Sequence, residues 1–382
     1  MPNSRVVLAV DGNSLVHRSF HAQAGTGLRS VDGAPMWAVR GLLSQLVAAV
    51  DRICPDVVVV GFDDPAASIR RELWPQYKAT RTDKLATLVA QLTMAATMLS
   101  ELGVNVVVPA GLEADDVLAS VARLAPTFGA STMIMTSDRD SFALIDDNTS
   151  VLRIINGGVE ASPVLTPSRL VTLLGITPGC YRDFAALRGD PSDNLPGVRG
   201  IGPKTAAKLL CALGSARAAF DDLAEGGSRV SEVIGAGGAA KLAHPDARAA
   251  WELNCQVMRL HSELRLDLTT TGGLPLDATA VRAAFDLLQL PATGARALRV
   301  LAHFGIDAEV GAPPPAETFP PPGWSGAARG DRADPARPGW ADRARGAGYV
   351  PGRYGDARTG RSRYGRLTTR PAPSETDQLV LF

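Results

Sequence analysis

The sequence predicts an α/β protein built on a parallel sheet, and two observations lead to this fold class. Continuous apolar runs, which are typical of strands buried on both faces, occupy residues 6–10, 57–61, 104–108 and 132–136. Helical patterns lie between these runs, near residues 39–53, 84–102 and 114–124. Strands that alternate with helices favour a doubly wound sheet with helices on both faces.

Acidic residues follow every one of the four strand-like runs. They are Asp11 after the first run, Asp63 after the second, Glu113, Asp115 and Asp116 after the third, and Asp138 and Asp140 after the fourth. Because ligands of open α/β sheets bind beyond the carboxyl ends of the strands, these carboxylates are expected to face one crevice. Like charges in such a crevice raise one another's pKa values unless a cation lies among them.

A divalent metal centre is therefore one interpretation of the acidic set. Hard oxygen ligands suit Mg²⁺ or Mn²⁺, and two such ions about 4 Å apart can activate water for phosphodiester hydrolysis. The alternative for residues 113–116 is that acidic side chains stabilise a helix N-terminus through the helix dipole. On a regular helix Glu113 and Asp116 share a face and Asp115 does not, so all three converge only if Glu113 lies in the preceding loop.

Residues 181–310 have a mainly helical pattern with a glycine-rich break near 226–239. Near its start, Asp190 and Asp193 lie in a turn-prone stretch. The glycines that follow would let the backbone turn tightly, and a helix from about Pro203 would add its N-terminus to a cradle for a DNA phosphate. The residues of this cradle are Gly200, Ile201, Gly202, Lys204 and Thr205. The alternative is an ordinary glycine and proline turn between two helices.

The stretch L-R-G-D-P-S-D-N-L-P-G-V-R-G-I-G-P-K-T-A-A-K-L-L (187–210) resembles the signature of the 5′→3′ exonuclease and flap endonuclease family, which includes the N-terminal nuclease domain of bacterial DNA polymerase I. Further motifs match in order across about residues 5–305: V-D-G-N-S-L-V-H-R-S-F, G-F-D-D, R-R-E-L-W-P-Q-Y-K-A-T-R, G-L-E-A-D-D-V-L-A and M-T-S-D-R-D. The resemblance implies a PIN-like α/β nuclease core at 1–180 with a helical arch, followed by a helical helix–three-turn–helix module at 181–310 that binds DNA.

By this resemblance the acidic residues serve two metal ions. One ion is ligated directly or through water by Glu113, Asp115, Asp116, Asp138 and Asp140, and the second is served by Asp190 and Asp193 together with Asp138 and Asp140. Asp11 and Asp63 complete the set. The family also implies a potassium ion at the glycine hairpin, where it bridges to a phosphate of duplex DNA.

Basic and aromatic side chains interleave in R-R-E-L-W-P-Q-Y-K-A-T-R-T-D-K, which spans 70–84. Such a mixture suits a single-stranded or frayed end, because cations bind phosphates and rings stack on bases. The resemblance implies that Lys78 and Arg81 point at the scissile phosphate and that Tyr77 stacks on the terminal base, and we assign Arg70 to the DNA-binding residues. The alternative is a solvated amphipathic helix. T-D-K-L-A replaces the prolines that usually follow this motif, which leaves the shape of the arch open.

The composition changes after Gly311 to a Pro/Gly/Arg-rich segment, 311–377, which is predicted to be disordered because it buries too little apolar surface to fold. The chain has a formal net charge of zero, but the residues from Gly311 onward include eleven Arg and seven acidic residues, so a basic tail is balanced by a slightly acidic body. The last five residues, Q-L-V-L-F (378–382), resemble the peptide by which bacterial replication proteins dock on the sliding clamp. Its contacts would be Gln378, Leu379, Leu381 and Phe382. The alternative is a chance apolar terminus.

Together these features predict a stand-alone 5′→3′ exonuclease and flap endonuclease that uses two Mg²⁺ or Mn²⁺ ions on 5′ ends, flaps and nicks of DNA, in primer removal and repair. RNA primers are further candidate substrates. The sequence has no apolar stretch of about 18 residues and no signal-peptide layout, which predicts a cytoplasmic protein without membrane contact, and we expect a monomer. Two alternatives are a nuclease acting mainly on the RNA of RNA–DNA hybrids and a non-catalytic junction-binding protein.

The docking interpretation predicts that deletion of residues 378–382 abolishes clamp binding but leaves cleavage of flap DNA unchanged in the absence of the clamp. The reason is that the pentapeptide would supply the apolar anchors for the clamp and no group of the nuclease site. Surface plasmon resonance on immobilised clamp measures the first quantity, and a labelled-flap assay measures the second. Deletion of 368–372 is the matched control. Equal clamp affinity with and without the pentapeptide would contradict the interpretation.

Overall fold

A six-stranded, largely parallel sheet lies at the centre of the protein. The computed structural model describes residues 5–30, 32–81 and 85–304, and the predicted tail at 311–377 and clamp peptide at 378–382 lie outside the described residues. The strand order is β3-β2-β1-β4-β5-β6, and only the β5–β6 pair is antiparallel. The strands are β1 (Arg5–Asp11), β2 (Val57–Gly61), β3 (Asn105–Val107), β4 (Ala130–Thr136), β5 (Thr149–Arg153) and β6 (Val164–Leu165).

Helices pack around the sheet and make up most of the chain that follows it. The helices up to residue 174 are α1 (Gly12–Gln23), α2 (Trp37–Ile53), α3 (Ile69–Leu73), α4 (Ala86–Glu101), α5 (Ala114–Leu124), α6 (Gly158–Ala161) and α7 (Pro167–Leu174). Those that follow are α8 (Tyr181–Arg188), α9 (Pro203–Leu213), α10 (Ala216–Ala224), α11 (Ser228–Leu242), α12 (Pro245–Val257), α13 (Ala278–Leu287) and α14 (Pro291–Ala302). Between α8 and α9 a small hairpin pairs β7 (Gly189–Asp190) with β8 (Leu195–Pro196).

The four predicted strands are confirmed as four neighbouring strands of this sheet, β3-β2-β1-β4, with β3 at its edge. Leu8 and Ala9 in β1 and Ile134 in β4 are fully buried, as expected for strands with neighbours on both faces. Parallel pairing brings the carboxyl ends of the strands together, since Asp11 lies opposite Gly61 in the register. The strands β5 and β6 were not predicted, because T-S-V-L-R is short and mixes polar with apolar residues.

One hydrophobic core extends from the sheet into the helical half of the described chain. A single cluster of buried residues includes Ala9 in β1, Phe184 in α8, Leu210 in α9 and Trp251 in α12. The helical half is therefore held against the sheet by apolar burial, and the predicted boundary at 180/181 lies within this shared core. None of the described helices is long and apolar enough to cross a membrane.

One local prediction is wrong in the described chain, and a second is borne out only in part. The segment expected to form a helical arch contains only the short helix α3 and then turns up to Arg81, and residues 82–84 lie outside the described residues. Pro75 accounts for the early end of α3, because the residue before a proline is driven out of the helical region, and Trp74 is extended. The expected glycine-rich break near 226–239 is present in part, because the chain leaves helical geometry at Gly226 and Gly227 before α11 and again at the kink at Gly235 within it.

Candidate metal centre

The turns between strands and helices hold the first two carboxylates at the sheet edge. Asp11 ends β1 and caps α1, with Oδ1 accepting the Ser14 amide at 2.9 Å and Oδ2 accepting the Thr136 hydroxyl at 2.7 Å. Asp63, two residues beyond β2, accepts the Ala114 amide at 3.0 Å. Hydrogen bonds thus link Asp11, after β1, to β4 and link Asp63, after β2, to the start of α5.

The next three carboxylates approach from α5 and from the loop after β4. Asp115 lies in the first turn of α5, and its Oδ1 is 3.5 Å from the Ser141 hydroxyl. The Asp138 amide donates to Thr136 at 2.9 Å, and the Asp140 amide donates to the Asp138 carboxylate at 3.1 Å. Side chains that are distant in sequence are therefore held by hydrogen bonds at one edge of the sheet.

The carboxylates at this end of the sheet have too little positive charge near them to offset their mutual repulsion. Burial, together with the nearby Asp138 and Asp63 and against two hydrogen bonds, raises the pKa of Asp11 to about 7. Burial and the charges of Asp138, Asp190 and Asp193 raise the pKa of Asp140 to about 8. Burial and the charge of Asp11 raise the pKa of Asp115 well above its usual value. These carboxylates therefore repel one another at this end of the sheet.

A cleft of about 640 Å³ opens over these carboxylates. Its lining includes Asp11, Asp63, Glu113, Asp115 and Asp138, with Lys78 and Arg81 among the cations. An adjoining cavity shares Glu113 and Asp115 with the cleft and adds Asp140 and Asp193. Asp190 is close enough to raise the pKa values of Asp140 and Asp193. Eight of the nine predicted carboxylates are thus brought into one neighbourhood, and Asp116 lines neither space.

The donor chemistry of this neighbourhood fits divalent cations. Carboxylates buried together are the ligand type that Mg²⁺ and Mn²⁺ prefer, and a cation would remove the repulsion that raises their pKa values. Within the described chain no three His, Cys, Asp or Glu side chains are grouped closely enough to hold an ion as they stand. Two of the outer carboxylates instead make ion pairs with protein cations.

These ion pairs come from the segment predicted to act on the scissile phosphate. Lys78 Nζ lies 2.8 Å from one oxygen of Glu113, and Arg81 forms an ion pair with Asp193. The Lys78 amide also donates to the Asp193 carbonyl at 3.0 Å. Burial alone would raise the pKa of Glu113, but Lys78 and Arg70 outweigh it and lower that pKa. Both cations therefore lie where a phosphate bound to the carboxylate site would meet them.

Tyr77 does not occupy the position predicted for it. Its ring is buried against Leu195 and Val257, and its hydroxyl donates to Glu113 at 3.0 Å. Lys78 Nζ lies over the ring, 4.7 Å from its centroid, and the buried ring therefore has no open face for a terminal base. Tyr77 therefore orients Glu113, and the predicted stacking role does not fit this arrangement.

Asp116 and Arg70 form a buried pair rather than a metal ligand and a DNA contact. Arg70 donates to both oxygens of Asp116, at 2.7 and 2.8 Å, and Asp116 is fully buried. Asp116 also accepts the amides of Glu113 and His261 at 2.9 and 2.8 Å. Arg70 donates further to the carbonyl of Val257 at 3.1 Å. Asp116 closes a capping box with Glu113 at the start of α5, which agrees with the helix-start interpretation of residues 113–116.

The glycine hairpin precedes α9 as expected, but its residues differ in backbone conformation and in exposure to solvent. Gly200 has a φ of +80°, and a Cβ there would come within 2.6 Å of the Lys241 side chain, so glycine is required. Gly202 is extended and caps α9, where a side chain would meet nothing within 4 Å. Ile201 is buried and its amide donates to Val198, so its predicted DNA contact can involve only its backbone. The exposed Lys204 and half-buried Thr205 lie in the first turn of α9.

Sequence analysis missed the neutral residues that hold the carboxylates. Thr136 is buried and bridges Asp11 to the Asp138 amide, and Asn13 accepts the Asp63 amide at 3.2 Å. Both lie within two residues of a predicted ligand, in T-S-D and D-G-N. That proximity was the available signal, but threonine and asparagine are common in turns for local reasons.

Comparison with known families assigns both halves of the described chain. Residues 6–172 match the family model described as 5′-3′ exonuclease, N-terminal resolvase-like domain. Residues 176–276 match the model described as 5′-3′ exonuclease, C-terminal SAM fold. The two models adjoin without overlap and together cover most of the chain.

Known relatives and solved structures agree with this assignment. DNA polymerase I of Mycobacterium tuberculosis (strain ATCC 25618 / H37Rv) is 36% identical over 217 residues, which are 57% of this chain and 24% of the relative. Thermostable DNA polymerase I of Thermus aquaticus is 35% identical over 289 residues, which are 75% of this chain and 32% of the relative. The chain thus spans about a quarter to a third of these relatives.

The fold is shared with solved nucleases of low sequence identity. T5 5′-exonuclease with bound zinc superimposes with a TM-score of 0.55 at 19% identity, covering 78% of this chain and all of that one. The catalytic core of Rad2 in complex with DNA substrate gives a TM-score of 0.51 at 15% identity, covering 78% of this chain and 92% of that one. With two adjoining family models and the same fold, the predicted resemblance is confirmed, and the chain belongs to the 5′-3′ exonuclease family.

Proposed function

We propose that the protein is a divalent-metal-dependent 5′→3′ exonuclease and flap endonuclease that hydrolyses phosphodiester bonds at 5′ ends and junctions of DNA, in primer removal and repair. The observation that carries this proposal is a cleft lined by carboxylates from four separate strand–helix turns and by the cations Lys78 and Arg81. In two-metal phosphodiester hydrolysis, divalent cations stabilise both the attacking and the leaving oxygen, and a set of carboxylates is needed to bind those cations. A protein that only bound junctions would have no use for buried anions facing a phosphate.

The carboxylates of the cleft and its neighbouring cavity would hold two Mg²⁺ or Mn²⁺ ions. When bound, such ions lower the pKa of water and neutralise negative charge on the leaving oxygen. Lys78 and Arg81 would exchange their carboxylate partners for the scissile phosphate and donate hydrogen bonds to its non-bridging oxygens. Thr136 and Tyr77 would keep Asp11 and Glu113 oriented. The proposed ligands are Asp11, Asp63, Glu113, Asp115, Asp138, Asp140, Asp190 and Asp193.

The glycine hairpin and the start of α9 would bind duplex DNA by its backbone. The exposed N-terminus of α9 directs amide groups and the Lys204 charge outward, which suits a phosphate. The turn at Gly200 would hold a potassium ion between backbone carbonyls and a phosphate. Phosphate contacts carry no sequence information, so binding would follow DNA structure rather than sequence.

Docking on a sliding clamp through residues 378–382 and action on RNA 5′ ends extend the proposal. A tethered docking peptide would raise the local concentration of the nuclease at clamp-loaded DNA without adding a contact at the cleft. A monomer suffices for this function, because one described chain supplies the whole proposed ligand set.

The metal assignment predicts that Asp138→Asn lowers the rate of flap cleavage by about 10²–10³-fold while junction binding is retained. Asp138 is exposed in the cleft, so the amide removes a charged ligand with little effect on packing. Cleavage of a 5′-labelled flap in Mg²⁺ measures the rate, and fluorescence anisotropy measures binding. Asp147→Asn removes an equally exposed charge outside the cleft and should act like the wild type. Cleavage by the Asp138 variant at an undiminished rate would reject the assignment.

Stability should fall with rising pH when divalent metal is removed. The pKa values of Asp11 and Asp140 are raised to about 7 and about 8 in the folded protein, above the unfolded value of about 3.9. Their neutral forms therefore favour the folded state at low pH, and this contribution is lost as pH rises from about 4 to 8. Melting in EDTA should shift down by about 5–10 °C between pH 5 and pH 8.

Mg²⁺ or Mn²⁺ should reverse this loss, and more strongly at pH 8 than at pH 5, because the ions bind the deprotonated carboxylates. The double variant Asp11→Asn, Asp140→Asn should show a flatter dependence in EDTA. A melting temperature in EDTA that is constant or increases over this range would contradict the electrostatic interpretation of the site.

The Arg70–Asp116 pair should behave as a structural unit without a direct part in metal binding. Asp116→Leu alone removes the bidentate partner of a buried arginine and leaves it only Glu113, 3.6 Å away, so it should lower the free energy of unfolding by about 3 kcal/mol. Arg70→Met combined with Asp116→Leu removes both charges and should be more stable than Asp116→Leu alone. Chemical denaturation measures stability, and calorimetric titration measures Mn²⁺ affinity, which the double variant should retain. Loss of Mn²⁺ binding in both variants without loss of stability would make Asp116 a ligand.

A further inference from the structure

A short hairpin, formed by β7, β8 and the turn between them, carries Asp190 and Asp193. Its strands pair at two positions, Gly189 with Pro196 and Asp190 with Leu195. A two-stranded hairpin of this length is marginally stable at best in water. The positions of its two carboxylates therefore depend on the contacts that the hairpin makes with the rest of the protein.

Asn254 of α12 joins the two sides of the hairpin at its base. Its Nδ2 donates to the Ala186 carbonyl at 2.9 Å and to the Pro196 carbonyl at 2.7 Å. Ala186 lies in the last turn of α8, where helix carbonyls lack a partner within the helix, and Pro196 ends β8. One amide group thus uses both of its N–H donors to connect the chain that enters the hairpin with the chain that leaves it.

The surroundings of Asn254 indicate that these two hydrogen bonds are its purpose. The residue is fully buried, and its Oδ1 has no hydrogen-bond partner among the described residues. A buried amide oxygen without a partner destabilises the folded state, whereas an apolar side chain of similar size has no such group. The choice of asparagine is therefore explained by the two carbonyls at the hairpin base and not by the packing of α12.

The helix that carries Asn254 is itself fixed to its neighbours. One turn earlier, Trp251 Nε1 donates to the Asp183 carboxylate of α8 at 3.1 Å. One turn later, Val257 is buried against Leu195 of β8. Residues spaced three apart lie on the same face of a helix, so this face of α12 holds α8 and the hairpin together.

We propose that Asn254 is a positioning residue for the second metal ion, because its amide holds the hairpin where Asp190 and Asp193 lie close to Asp140. The inference rests on the proposed function, which requires an ion at these carboxylates. Asp140 and Asp193 line one cavity, although Asp193 belongs to the hairpin and Asp140 to the loop after β4. Mg²⁺ accepts little variation in the distance of about 2.0–2.1 Å to its oxygen ligands, so a small shift of the hairpin weakens its binding.

The first measurement is a calorimetric titration of Mn²⁺ into the full chain, for the wild type and for Asn254→Leu. Leucine has a similar volume and removes both donors. The wild type should bind two ions, and the variant should bind one with wild-type affinity and the other about tenfold more weakly, as expected for loss of a contact that orients metal ligands. If Asn254→Leu does not fold, Asn254→Ala removes the same donors with a smaller side chain and should give the same change.

Flap cleavage at increasing Mg²⁺ concentration gives an independent readout of the same change. Asn254→Leu should raise the Mg²⁺ concentration for half-maximal rate about tenfold, while kcat at saturating Mg²⁺ stays near the wild-type value, because all the ligands are still present. Hydrogen exchange measured by mass spectrometry should be faster in the hairpin of the variant and unchanged in the central strands of the sheet.

Leu170→Ala is the matched control for a loss of stability alone. Leu170 is fully buried in α7, which packs on β6 at the edge of the sheet. Its truncation lowers the melting temperature through lost packing and should leave both Mn²⁺ affinities at the wild-type values. If Asn254→Leu gives the same titration curve as this control, Asn254 only stabilises the fold and the proposal is overturned.

Double variants test whether Asn254 acts through the hairpin. The effects of Asn254→Leu and Asp193→Asn on Mn²⁺ affinity should be non-additive, because the second substitution removes a ligand that the first misplaces. The effects of Asn254→Leu and Asp11→Asn should be additive, because Asp11 is held at the end of β1. Any other pattern would overturn the proposal. Wild-type protein that binds fewer than two Mn²⁺ ions would instead reject the proposed two-metal function itself, so the two failures are distinct.

Discussion

Repulsion among carboxylates that are shielded from water is the constraint on which the rest of the structure depends. The strand order places the ends of β2, β1 and β4 side by side, so Asp63, Asp11 and Asp138 leave the same edge of the sheet. Burial removes the water that would otherwise screen Asp11, and together with the charges of Asp138 and Asp63 it raises the pKa of Asp11 to about 7. Charges in such a place must be neutralised, hydrogen-bonded or protonated.

The protein balances the outer carboxylates with its own cations, whereas the central carboxylates have neutral hydrogen-bond partners among the described residues. Lys78 and Arg81 pair with Glu113 and Asp193 at the outer edge, whereas Asp11 and the Asp115 beside it have hydroxyl and amide partners alone among their described contacts. This difference separates carboxylates that protein cations stabilise from carboxylates whose charge a divalent ion would balance. It also explains why cations and anions alternate across a single cleft.

The helical half of the described chain shares the hydrophobic core of the sheet and contributes a carboxylate to the cluster. Asp193 reaches the cluster from the β7–β8 hairpin, and the buried core continues from the sheet into α8, α9 and α12. The Arg70–Asp116 pair joins three segments, because Arg70 belongs to α3, Asp116 to α5, and the accepting carbonyl of Val257 to the end of α12. A buried pair in which Arg70 makes four hydrogen bonds holds these segments in one geometry, although replacing it with apolar residues need not cost stability.

The sequence by itself determined the parallel sheet, the acidic residues after each strand and the glycine turn before α9, because these follow from local patterns of burial, charge and backbone freedom. Only the tertiary structure decided what each charge meets. Arg70 and Asp116 have the residue types of a DNA contact and a metal ligand, yet they pair with each other in the interior, and the ring of Tyr77 is enclosed by Leu195 and Val257. A side chain's role depends on its partner and its distance from water, and the residues that supply both lie far away in the chain.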